Sequence, residues 1–228
     1  MNKHKNYHMY GLLAIVILIL IIIFSILYIG RRNTHSPGTT IVKEASDDSE
    51  VSAYLKEQDI ILSDMMDNMS VKESGSAELD FLIGMIPHHE AAIEITKSYL
   101  KYGGKNRKLK KLAEEIIEDQ IEEAGEMRIL VKKIESQTGT DKEKERAYLD
   151  FYNKMMSSHQ NIQHETETAS NVESAYIEGM VIHHQMAADM AKAILENTRH
   201  DETRDIAEDI IERQEEEISQ MEAIFNDM

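Results

Sequence analysis

From Val51 to the end of the chain, apolar residues recur three and four positions apart, the spacing that lines one face of an α-helix. The only proline in that stretch is Pro87, and glycines are few. Polar or glycine-bearing interruptions at 70–78, 102–106, 136–141, 169–174 and 197–202 divide it into six helices in two groups of three. The expected fold is all-α. Upstream, residues 33–50 are polar, contain Pro37-Gly38 and show no sustained apolar period, so residues 30–50 read as a flexible linker. Before them, Leu12 to Ile29 is eighteen residues without a charge, glycine or proline. At about 1.5 Å per residue it spans roughly 27 Å, enough for a membrane helix. No small-residue cleavage site follows, so it reads as an uncleaved anchor at 12–29 behind a cytoplasmic tail at 1–11. Lys3 and Lys5 on one flank nearly balance Arg31 and Arg32 on the other. The expectation is a single-pass plasma-membrane protein with residues 51–228 on the extracytoplasmic side.

The two groups of helices are copies of one another. Residues 81–100 align with 176–195 at an offset of 95, matching Gly84 to Gly179, Met85 to Met180 and His88-His89 to His183-His184. Residues 113–127 align with 207–221 at an offset of 94, matching Gln120 to Gln214, Glu123 to Glu217 and Met127 to Met221. A weaker echo, Met65-Met66 against Met155-Met156, precedes each copy. Duplicated helix pairs joined by short turns favour antiparallel packing with pseudo-two-fold symmetry. The architecture expected is an antiparallel four-helix bundle of two duplicated pairs, each preceded by an extra helix, with repeats at 81–127 and 176–221.

Composition narrows the chemistry. The chain of 228 residues has 42 acidic against 25 basic side chains, a formal net charge of −17. Residues 1–32 hold four of the bases and no acid, so the remainder carries −21 and is no partner for nucleic acid. With no cysteine, thiolate metal sites and disulfides are excluded, and methionine is left as the soft ligand; there are 14 Met and 10 His.

On a helix, Met85, His88 and His89 share a face with the small Ala92, and Met180, His183 and His184 do so with Ala187, joined by Met190. Each copy thus projects one thioether and two imidazoles from about a turn and a half. The following helix places Gln120, Glu123 and Met127, or Gln214, Glu217 and Met221, on its apolar stripe. A buried carboxylate needs a partner, so Glu123 and Glu217 are expected either to ligate a metal or to orient the imidazoles. Met65, Met69, Met155 and His159 are candidate extensions, whereas His200 reads as incidental. Methionine at helical spacing is also ordinary core filler, and a histidine pair can be a hydrogen-bonded core feature. Two pairs in register, each with methionine three residues before, are what single out the metal reading. Thioether plus imidazole suits Cu(I) and, by similar softness, Ag(I); imidazole alone would also hold Cu(II) or Zn(II). Carboxylate-bridged di-iron bundles use Glu-x-x-His, and here the residue three before His88 and His183 is methionine.

Phe81-x-x-x-Met85-Ile86-Pro87-His88-His89 followed by Gln120-x-x-Glu123-x-x-x-Met127, with its recurrence at 180–184 and 214–221, resembles the bacterial domain-of-unknown-function family numbered 305 over roughly residues 75–228. The resemblance implies a ferritin-like bundle, exported or membrane-attached, in a family with some members linked to periplasmic copper binding and copper tolerance. It implies no catalytic activity. Ile95 and Thr96 stand where a Met-Ala pair is common in that family and Gly125 replaces an apolar residue, so the first site is expected to be weaker than the second; Ile182 stands opposite Pro87, so a kink is expected to differ between the two halves. The leading expectation is Cu(I) or Ag(I) sequestration or transfer in copper homeostasis. The partners expected are the metal, the plasma membrane, and a second copy of the chain or a copper-transfer protein. A copper-dependent redox enzyme and a metal-free interaction bundle are the alternatives.

Overall fold

A computed structural model describes residues 41–136, 141–159 and 169–228. The tail at 1–11, the anchor at 12–29 and the first part of the linker lie outside the described residues. Among the described residues no helix is long and apolar enough to cross a membrane. Six helices lie among the described residues: α1 (Ile41–Asn68), α2 (Ala77–Tyr102), α3 (Arg107–Glu135), α4 (Lys142–His159), α5 (Val172–Asn197) and α6 (Asp201–Asn226). Each junction overlaps one of the five interruptions read from the sequence, although α4 ends at His159, ahead of the fourth at 169–174. Another boundary differs: α1 begins at Ile41, so residues 41–50 are helical and not part of a linker. They lack an apolar stripe, but they also lack proline and glycine. Extending a helix already nucleated costs little per residue.

The helix starts are capped by side chains suited to the task. Ser76 accepts the Leu79 N–H, Asn106 accepts those of Lys108 and Leu109, and Asn171 accepts that of Ser174. His200 takes the same role at α6, with Thr203 N–H donating to its Nδ1 at 3.3 Å. Between α2 and α3, Gly104 turns the chain at φ +76°, a conformation that favours glycine.

Helices α2, α3, α6 and α5 pack neighbour to neighbour in a closed ring. The contacts fix their directions. Thr96 meets Tyr176 while Glu78 meets Thr198, so α2 and α5 are antiparallel. Lys108 meets Asp227 while Lys133 meets Glu202, so α3 and α6 are too. The four-residue and three-residue turns after α2 and α5 reverse the remaining pairs.

Helix α4 packs on α2 and α5. Its Tyr152 lies so close to Gly84 that a Cβ there would meet the phenol oxygen at 2.9 Å. Pro87 sits inside α2 without ending the helix.

The apolar interior forms two clusters. One gathers Phe81, Met85, Met127, Tyr148 and Met190; the other gathers Tyr99, Ile116, Tyr176, Met180 and Met221. In register between them, the ring helices bury eight polar side chains: His88, His89, Gln120, Glu123, His183, His184, Gln214 and Glu217. Desolvation makes such a layer costly unless its members find partners.

Candidate metal centre

His88 and His183 occupy equivalent positions in the two copies, and antiparallel packing of α2 against α5 brings them together. Their rings stand with centroids 3.7 Å apart and planes inclined by 38°, at 0% and 5% relative exposure. The histidines that follow them lie about 6 Å away by ring centroid, at 6.1 Å for His88–His89 and 6.2 Å for His183–His184. Four imidazoles from two helices therefore converge inside the ring.

The outer two are held by carboxylates from the adjoining helices. His89 Nε2 is 2.9 Å from Glu123 Oε2, and its Nδ1 is 3.2 Å from the Met85 carbonyl oxygen. Each nitrogen of that ring thus faces an oxygen acceptor. His184 Nε2 is 2.7 Å from Glu217 Oε2, in ion-pair range but without the alignment of a hydrogen bond. Glu123 is thus placed where a carboxylate can orient the His89 ring.

Neither ring nitrogen of His183 makes a hydrogen bond. Burial, and then the nearby His184 and His89, push its pKa well below the ordinary histidine range. At neutral pH it is a neutral ring with an uncommitted lone pair, the form in which histidine binds a metal. The side-chain nitrogens of Gln120 and Gln214 are likewise buried without a hydrogen-bond partner.

All the predicted methionines are buried, but they do not sort by copy. Met85 and Met127 share their cluster with Met190 of the second copy, and Met180 and Met221 share theirs with Ile95 of the first. The cause is direction. Residues before His88 on α2 lie level with residues after His183 on α5, so each side of the histidine layer mixes the copies. The sides are unequal, with three of the predicted methionines facing two. Ile95 of the first copy therefore lies on the Met180 side of the layer.

Met186, three residues after His183 and not singled out in the sequence, is buried and joins the richer cluster. Met65, Met69 and Met155 belong to that cluster as well. Among the described residues, no group of three or more His, Asp or Glu side chains is arranged to hold a metal ion.

At the surface, Arg213 of α6 joins the two copies. Its guanidinium is 2.9 Å from Asp119, 3.4 Å from Glu122 and 3.7 Å from Glu123 Oε1. Arg213 and Asp119 are equivalent positions at the offset of 94, so one pair of opposite charges bridges the pseudo-two-fold axis. Burial, and then Glu217, raise the pKa of Asp119 despite Arg213. In the sequence neither residue stands out, because each alone looks like part of a solvated charged face.

The family model described as "Domain of unknown function (DUF305)" matches residues 78–225. Among solved structures, CopM in its silver-bound form, obtained by co-crystallisation, is similar with a TM-score of 0.50 and 29% identity. That match covers 66% of this chain and 96% of CopM. A structure of CopM in the Cu(I)-bound form gives 0.49 and 30% over the same shares. No curated protein matches the chain.

Proposed function

The chain belongs to the DUF305 family, and on that membership together with its buried imidazole–thioether layer we propose that it binds Cu(I) and Ag(I) in copper homeostasis. The observation that carries the reading is the meeting of His88 with His183, two buried rings from two copies, in a layer flanked by methionines on both sides. The ring of helices is read as a ferritin-like four-helix bundle with two accessory helices.

The donor set fits a soft monovalent cation. His88 and His183 supply the central nitrogens; Met85, Met127 and Met190 on one side, and Met180 and Met221 on the other, supply thioethers. His89 and His184 complete the layer, held by Glu123 and Glu217. A hard-metal site would need several carboxylates in the inner set, whereas imidazole and thioether select softer ions. The silver in the CopM relative accords with this, since Ag(I) and Cu(I) share ligand preferences.

The apolar segment at 12–29 supports a single-pass plasma-membrane anchor with the helical domain on the extracytoplasmic side. There the protein sequesters the ion or hands it to a partner, and neither role requires turnover.

Competition titration of the full chain in detergent tests the reading. Cu(I) delivered anaerobically from a chromophoric chelator is expected to bind at least about a hundredfold more tightly than Zn(II), in keeping with thioether preference. Equal or tighter Zn(II) binding rejects it.

A further inference from the structure

Between α3 and α6 lies a surface pocket of about 200 Å³, lined in part by Glu115, Glu118, Asp119, Arg213, Glu216 and Glu217. Five carboxylates against one guanidinium, with Lys111 held on Glu115 at 2.6 Å, leave its mouth negative. The guanidinium is itself engaged with Asp119 and Glu122. At its inner end Glu217 is only 5% exposed, and neither of its carboxylate oxygens makes a hydrogen bond. The same carboxylate reaches to 2.7 Å from His184 Nε2. One side chain therefore faces both the pocket and the buried histidine layer.

The equivalent position in the first copy is closed differently. Glu123 accepts from His89 at 2.9 Å on one oxygen and lies 3.7 Å from Arg213 Nε on the other. A cation approaching Glu123 meets the guanidinium 3.7 Å away, whereas the pocket leading to Glu217 sets five carboxylates around that same guanidinium. The pseudo-symmetric core thus opens asymmetrically.

We propose that this pocket is the port through which a soft monovalent cation enters the histidine layer, with Glu217 receiving it and passing it to His184. The inference rests on the cation-binding role proposed above and adds its route. The pocket attracts and transmits; the described residues arrange no three carboxylates to hold an ion there. Negatively charged clefts raise cation association rates by about 10- to 1,000-fold, an effect that salt weakens.

The test is stopped-flow mixing of the full chain in detergent with Ag(I), read by tyrosine fluorescence, since the chain has nine Tyr and no Trp. The triple variant Glu115→Gln, Glu118→Gln, Glu216→Gln removes three charges from the mouth and touches none of the proposed ligands. Uptake is expected to slow by about tenfold with a flatter salt dependence, while the stoichiometry at saturation stays that of the wild type. A control with the same charge change elsewhere, Glu94→Gln, Glu196→Gln, Glu222→Gln, is expected to keep the wild-type rate within about twofold. An unchanged rate in the mouth variant, or equal slowing in the control, overturns the port and leaves the binding role standing. A wild-type chain that takes up no Ag(I) overturns the binding role itself, and the port with it.

Discussion

Replacing His88 and His183 together with alanine lowers Cu(I) affinity by about a hundredfold or more, about 3 kcal/mol at 1.4 kcal/mol per factor of ten. The expectation follows from their position. They are buried, they face one another at 3.7 Å, and among the described residues this is the pair that brings imidazoles of the two copies together. Loss of an outer orienting residue typically costs roughly 10- to 100-fold in metal affinity, so the central pair should match or exceed the upper end of that range. Glu123→Gln and His89→Gln supply the comparison. The double leucine variant, which refills the vacated volume, separates loss of donors from collapse of the core. Competition titration of both double variants measures the effect, and wild-type affinity in either contradicts the assignment.

The second large effect has opposite signs with and without metal. His183→Leu is expected to raise the melting temperature of the metal-free protein while removing most of the stabilisation that Ag(I) or Cu(I) confers. The imidazole is buried with both nitrogens lacking hydrogen bonds, a condition that costs about 1–3 kcal/mol in the folded state. Leucine removes that cost at comparable size. For a chain of this length, 1 kcal/mol moves the melting temperature by about 2–4 °C.

The acid side of the stability profile should change as well. Because burial holds His183 below its unfolded pKa, the unfolded chain takes up the proton first. Native stability therefore falls as pH drops below about 6.5, and leucine abolishes this contribution. A ligand that binds only the folded state stabilises it in proportion to RT ln(1 + [L]/Kd), so the wild type should gain with metal what the variant does not. Differential scanning calorimetry with and without Ag(I) reads both terms. A metal-free variant that melts below the wild type would mean that the ring is already satisfied.

Much of this arrangement is legible in the chain itself. The interruptions at 70–78, 102–106, 169–174 and 197–202 mark the helix starts because Ser76, Asn106, Asn171 and His200 can each satisfy the N–H groups that a helix leaves unpaired. The duplication singles out His88-His89 and His183-His184, since a repeated pattern of costly polar residues on an apolar face needs a common reason. That Glu123 needs a facing imidazole or metal follows from the same argument; that the imidazole is His89 comes from the packing of the helices.

What the chain does not show is which residues share a level in the bundle. The assignment of Met190 to the side of Met85, and of Ile95 to that of Met180, depends on α2 and α5 being neighbours that run in opposite directions. Periodicity within one helix carries no such information. The Asp119–Arg213 bridge is hidden for a related reason, because aligning the copies compares residues as equivalents and does not ask whether they touch across the axis. The start of α1 at Ile41 was obscured by composition, since an acidic helical turn without an apolar stripe resembles a linker.

X-ray absorption at the copper edge of the Cu(I)-loaded full chain bears most directly on whether the mid-bundle layer is a mixed imidazole–thioether centre. The account predicts a first shell containing both nitrogen and sulfur neighbours, with the nitrogen contribution lost when His88 and His183 are replaced by leucine. A shell of nitrogen and oxygen alone, or one unchanged by that replacement, would contradict it.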